Sequence, residues 1–172
     1  DASASRNHAI TIANGEFVSF LDGDDLWCAN WLTEAFCIGS ITKQQEVYHP
    51  QINVLFDQEN LLLFRRDCED PEFRLNFLNY VSYWSSLSFA RKEIYQDHPY
   101  QHNDLKSGFG YEDWQWSCEI VNNGILHRTV PETTHYTRRK QINSLQTQMA
   151  TAGCLMLPSS LFLRRDKHSK PR

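Results

Sequence analysis

The chain has 172 residues, 41% hydrophobic and 13% aromatic, enough for one domain with its own core and too apolar for a disordered segment. A formal net charge of −4 gives no general attraction for nucleic acid, and no apolar run reaches the length of a membrane-spanning helix. Five cysteines (Cys28, Cys37, Cys68, Cys118, Cys154) without Cys-x-x-Cys spacing predict neither a disulfide framework nor structural zinc, and with no leader pattern the expected setting is a reducing cytoplasm.

In chain order, residues 5–16 read as a short helix with Ala9, Ile10 and Ala13 on one face and Gly15 as its stop. The run 17–27, FVSFLDGDDLW, is an apolar strand ending in Asp22, Asp24 and Asp25 around Gly23. Carboxylates at the C-terminal end of a strand stand where open α/β sheets hold ligands, and one or two such oxygens suit Mg²⁺ or Mn²⁺ with substrate phosphate. The same triplet also fits an ordinary turn, with Asp25 capping a helix that begins near Leu26.

That helix is expected over residues 26–41, with Trp27, Trp31, Leu32, Ala35 and Phe36 as its apolar stripe. Residues 46–49, 52–56 and 61–64 read as strands, with Pro50 and residues 57–60 as turns, and suggest a small antiparallel addition. Pro71 opens a helix through Phe77 and Leu78, a strand follows at 86–90, and a short helix at 91–95. Glu112 and Asp113 begin a helix that stops at Asn123-Gly124, a position where acids are enriched in any case. A strand containing Val130 and Pro131 leads into Arg138, Arg139 and Lys140, which read equally as a phosphate clamp or a solvated basic face. Residues 158–172 form a basic tail, a frayed end or a contact for a membrane surface.

Two motifs together resemble the family 2 nucleotide-sugar glycosyltransferases of GT-A fold. They are Ala4-x-Arg6-Asn7-x-x-Ile10-x-x-Ala13-x-Gly15-Glu16 before the strand and Leu21-Asp22-x-Asp24-Asp25, and Gly108-x-Gly110-Tyr111-Glu112-Asp113 further on. The resemblance implies a partial GT-A domain over residues 1–157, an α/β/α sandwich with a mixed sheet that lacks the family's N-terminal nucleotide-binding half. It implies Asp22 and Asp24 as ligands of Mn²⁺ or Mg²⁺, His135 as a third ligand, and Asp113 beside Glu112 as catalytic base. Arg6, Asn7 and Asp22 fall on the donor side, and Arg138, Arg139 and a serine at 144 on a mobile loop close over the donor diphosphate. Trp84, His102 and Trp114 are aromatic candidates for an acceptor cleft, whereas Trp116 reads as core.

The implied activity is inverting transfer of a sugar from a nucleotide-diphospho-sugar to a hydroxyl of a glycan or lipid-linked acceptor, peripheral contact with the inner membrane face being compatible with it. With half the domain expected to be missing, the chain alone should bind UDP weakly, and an uncovered sheet edge should favour homo-oligomers. Two rivals stand beside this reading. One is a truncated glycan- or partner-binding module without catalysis; the other is a phosphatase-like aspartyl nucleophile, from which Asp25-Leu26 departs where Gly-Thr is expected.

Overall fold

A computed structural model describes residues 1–141 and 144–163. The elements are α1 (Ala2–Ile12), β1 (Phe17–Phe20), β2 (Leu26–Trp27), α2 (Trp31–Ile41), β3 (Glu46–Asp57), β4 (Leu61–Phe64), β5 (Ser88–Arg91), α3 (Lys92–Asp97), β6 (Phe109–Gly110), α4 (Glu112–Asn122), β7 (Leu126–Arg139), α5 (Leu145–Thr151) and β8 (Leu155–Met156). Short 3₁₀ turns occupy Leu75–Asn79, Leu105–Ser107 and Ser160–Leu163. Among the described residues no helix is long and apolar enough to cross a membrane.

Six strands form one mixed sheet in the order β1-β5-β3-β7-β2, with β4 branching from β3. The long strand β3 organises it. Its first half pairs antiparallel with β5, its second half antiparallel with β4, and its whole length runs parallel to β7. Successive residues point to opposite faces, so Val47 and Ala90 join Ile10, Ile94, Trp116 and Ile120 under α1, α3 and α4, while Tyr48, Phe89 and Val130 pack with Trp31 and Ala35 of α2. This is an α/β/α sandwich with a mixed sheet. A third cluster, Leu78, Trp84, Cys118 and Leu161, ties the last turn to α4, where Ser160 N donates to Glu119 Oε1 at 2.6 Å.

Several local expectations change. Helix α1 begins at Ala2 because Asp1 caps it, accepting from Ser3 N at 3.2 Å, and it ends at Ile12 ahead of Gly15. The helix expected from Leu26 begins instead at Trp31: Leu26 and Trp27 pair with Tyr136 and His135, so the chain is still sheet there. Trp31, Ala35 and Gly39 of α2 are fully buried and Ile38 packs partly on the same cluster, while Leu32 and Phe36 remain exposed. Pro50 does not break β3; the strand continues through a register shift between Pro50 and Ile52, a bulge that tolerates a residue without an N–H.

Beyond Pro71 a turn and the five-residue 3₁₀ segment Leu75–Asn79 replace the expected helix. Asp67 and Asp70 take the backbone N–H groups of Glu69 and Glu72 at 2.9 and 2.7 Å, which favours turns over helix. Residues 158–163, expected as the start of a tail, pack on α4, whereas 164–172 lie outside the described residues. Strand β1 pairs with β5 alone among the described residues, and beside that edge Phe17, Trp27, Leu32 and Phe36 line an open apolar groove.

Candidate active site

A cavity of about 660 Å³ opens where the ends of β1 and β7 meet the start of α4. Its wall includes Arg6, Asp22, Asp24, Asp113, Arg138 and Arg139, so the fold gathers most of the sequence candidates from positions more than one hundred residues apart.

Arg6 is the joint between the two acidic motifs. From α1 it donates to Asp22 Oδ1 at 3.0 Å and to Glu112 Oε1 at 2.8 Å, while its guanidinium lies 5.3 Å from the Tyr100 ring centroid. Burial acts to lower its pKa, but Tyr100, Asp22, Asp113 and Glu112 more than offset this, so it stays charged. Asp22 is further held by Ser86 Oγ at 2.9 Å, and Glu112 by Asn103 Nδ2 at 2.6 Å. Both oxygens of each acid are therefore engaged.

Asp113 is the freer member of the pair. Among the described residues its side chain accepts only from Trp114 N, at 2.8 Å. Burial and the neighbouring Glu112 push its pKa up to about 6, against the pull of Arg6. A carboxylate so placed is ionised at neutral pH yet basic enough to accept a proton. The backbone that presents it is bent: Tyr111, just before α4, has φ 60° and ψ 52°, a left-handed conformation that costs a non-glycine residue about 1–3 kcal/mol. Its N–H donates to Met149 Sδ at 3.2 Å, and α5 rests so closely on Gly110 that a Cβ there would lie 2.4 Å from the same sulfur.

Asp24 stands on the cavity wall with Lys140 Nζ 2.6 Å away, and the Lys140 hydrogen bond is the main cause lowering its pKa. Asp25, read from sequence as a helix cap, is instead buried; it takes His135 Nε2 at 2.9 Å and Arg138 N at 2.8 Å and so fastens the acidic turn to β7. His135 has its other nitrogen on Ser85 Oγ at 2.9 Å and does not line the cavity. Among the described residues no group of three or more His, Cys, Asp or Glu side chains is arranged around a metal position. The donor set fits a divalent ion only as Mg²⁺ and Mn²⁺ are usually held beside phosphates: one or two carboxylates, Asp24 first, with substrate oxygens and water for the rest.

The remaining candidates divide. Arg138 and Arg139 belong to the end of β7 and not to a loop; they line the cavity and pair with Asp57 at 2.8 Å and Glu59 at 3.8 Å. Ser144 caps α5 through Thr147 N at 3.3 Å and also lines the cavity. Trp114 lines it with its indole N–H on Leu78 O, 2.8 Å away; Trp84 contributes to the wall but is 97% buried against His127, its ring 4.0 Å from the imidazole. Asn7 clamps the backbone of Tyr100 at 2.8 and 2.9 Å, and His102 is an exposed partner of Asp1; neither reaches the cavity. Trp116 is core. Sequence reading passed over Lys140 as a partner of Asp24, and over Ser86, Asn53 and Arg65; nothing local in the sequence marks these positions.

The crystal structure of S. aureus TarS 1–349, a family 2 glycosyltransferase, superposes on this chain with a TM-score of 0.51 at 18% identity. The fold is GT-A-like. The match covers 79% of this chain and 40% of TarS 1–349, so the chain spans less than half of that protein's length. Neither a protein-family model nor a curated protein matches the chain by sequence. At this identity the likeness to TarS speaks for the architecture, and the chemistry rests on the cavity itself.

Proposed function

We propose that this cavity performs inverting transfer of a sugar from a nucleotide-diphospho-sugar to an acceptor hydroxyl. The observation that carries the reading is the Arg6 bridge, which sets Asp113, a carboxylate of raised basicity, in one cavity with Asp24 and the cations of β7. In this reading Arg138 and Lys140 face the donor diphosphate and hold its charge. A divalent ion beside Asp24, when bound, supplies further neutralisation of the departing nucleotide. Asp113 takes the proton of the acceptor hydroxyl as its oxygen attacks the anomeric carbon from the face opposite the leaving group, and the configuration inverts. Trp114, next in sequence to the base, offers an indole face at the acceptor side.

A binding module without catalysis has one observation in its favour: Asp24 and Asp22 are already matched to Lys140 and Arg6. The same variants separate the two readings. With Mn²⁺ and a panel of nucleotide-sugars, a complete enzyme containing this chain should turn over at least one donor, and the variants are made in that enzyme. Asp113→Asn should slow transfer on the order of 10²-fold or more while keeping donor affinity, and Asp24→Asn should weaken Mn²⁺-dependent donor binding. Undiminished turnover by Asp113→Asn removes the base assignment, and a panel in which no nucleotide-sugar is consumed removes the transferase reading.

A further inference from the structure

The far halves of β3 and β7 form a small sheet with β4 on one side and β2 on the other, in the order β4-β3-β7-β2. Side chains alternate along each strand and paired residues share a face, so the register sorts them into two sets. The inner face holds Asn53, Leu55, His135 and Thr137, with Leu63 paired to Asn53; Asn53, Leu55 and His135 are buried, and Asn53, Leu63 and Thr137 line the cavity. The outer face carries Phe64 beside Ile52, then Leu62, Val54, Tyr136 and Leu26 in a row that crosses all four strands, with Phe56 beyond it.

A sheet face turned to water ordinarily presents polar side chains. Here Phe64 is 70% exposed, Leu26 60%, Leu62 53% and Tyr136 37%, and Ile52, Val54 and Phe56 are half-buried; none of them belongs to the three buried clusters of the fold. With roughly 150–250 Å² for a fully exposed aromatic side chain, these fractions leave about 500 Å² of apolar surface in one patch, at the upper end of what monomers keep in water.

We propose that this outer face is a homodimer interface, on which a second copy of the chain packs through the same face about a two-fold axis near Val54 and Tyr136. Three observations favour a second copy. Two such patches laid together bury about 1,000 Å² from these side chains alone, which reaches the area a specific interface needs. Sheets that share one hand of twist pack face to face with their strands within about 30° of each other, so a twisted sheet face is complementary to a copy of itself. The charged residues at the ends of the patch are Asp57 and Glu59, each matched to an arginine of β7, and Glu132, while Arg65, next to Phe64, belongs to the cavity side. Among the described residues an anionic lipid surface therefore finds no free basic rim to hold. Dimerisation would brace the cavity wall from behind, because the outer side chains alternate with Asn53, Leu63 and Thr137, and it does not depend on the chemistry within.

The test is sedimentation velocity of the 172-residue chain over about 1–100 μM. The chain should sediment as a dimer at the upper end and dissociate on dilution, and hydrogen exchange of residues 61–64 should slow as the dimer forms. Phe64→Glu and Leu62→Glu should each weaken the dimer at least about tenfold, since each change enters a two-fold interface twice. Phe36→Glu, in the apolar groove beside β1, should leave it unchanged. A monomer throughout the range would overturn the interface, and binding of that monomer to vesicles of anionic lipid would assign the face to a membrane instead. A dimer that survives Phe64→Glu and Leu62→Glu, with circular dichroism showing both variants folded, would overturn the assignment to this face, and its loss in Phe36→Glu would move the interface to the groove.

Discussion

Arg6→Met is the sharpest test of how the cavity is held together. Methionine keeps an apolar stem of similar length and removes the charge that two acids share. The two arms of the bridge differ greatly in weight. Asp22 has a side chain 43% exposed, so its ion pair is screened by water and is worth about 0–1 kcal/mol. Glu112 is 5% exposed and faces a guanidinium 8% exposed, so removing the cation leaves a buried carboxylate supported, among the described residues, by Asn103 alone. Orphaning a buried charge in this way costs about 3–5 kcal/mol, and the Glu112 arm therefore decides the total.

With a urea slope of about 2 kcal/mol per molar, the denaturation midpoint should fall by about 1.5–2.5 M. Replacing the stranded acid as well, in Arg6→Met with Glu112→Gln, should recover about 2 kcal/mol or more, because a neutral amide has little to lose by burial beside Asn103. Equilibrium urea unfolding of the wild type, both single variants and the double variant gives every leg of the cycle. A loss below about 1 kcal/mol for Arg6→Met, or a double variant no more stable than Arg6→Met, would refute the claim that this bridge is a buried joint.

Three further expectations concern pH. Because Asp113 must be ionised to accept a proton and its pKa is pushed up to about 6, kcat/KM should be level above that pH and fall about tenfold per unit below it; a profile unchanged down to pH 4.5 would reject the assignment. The same upward shift means that the unfolded chain loses this proton first, so ionised Asp113 weakens the fold at neutral pH. Asp113→Asn should then raise stability at pH 7 by about 1–3 kcal/mol, a gain that shrinks as pH falls through 6 towards 4, measurable by urea unfolding at three pH values. The stacked pair His49 and His127, joined at 2.8 Å, is held neutral by burial: the His49 pKa is lowered to about 3 and that of His127 lies well below the ordinary value. Unfolding lets both take up protons below about pH 6.5, so stability should drop with acid from there downward. His127→Phe should reduce that slope by about 1.4 kcal/mol per pH unit, and an unchanged slope would contradict it.

The sequence by itself determined the parts whose signal is local. An apolar run into Asp22-Gly23-Asp24, an acidic helix start at Glu112 and Asp113, and a stop at Gly124, where φ is 81°, each depend on neighbours within a few residues, and each stands in the structure as read. The α/β class followed from the same periodicities. What tertiary structure decided was which polar side chains serve one another. Asp25 reads as a cap because that is the local use of an aspartate before Leu26; it became a tether because β7, more than one hundred residues later, brings His135 and Arg138 N to it. Leu26 and Trp27 left the expected helix for the same reason, since β7 offers them a ladder that outweighs helical spacing. Arg6 and Arg65 look alike as letters in a sequence. Only the packing of α1 against the turn after β1 and the start of α4 gives Arg6 its two carboxylates, and Arg65, just past β4, has none among the described residues, because counter-charge is set by distance in space and not by spacing along the chain.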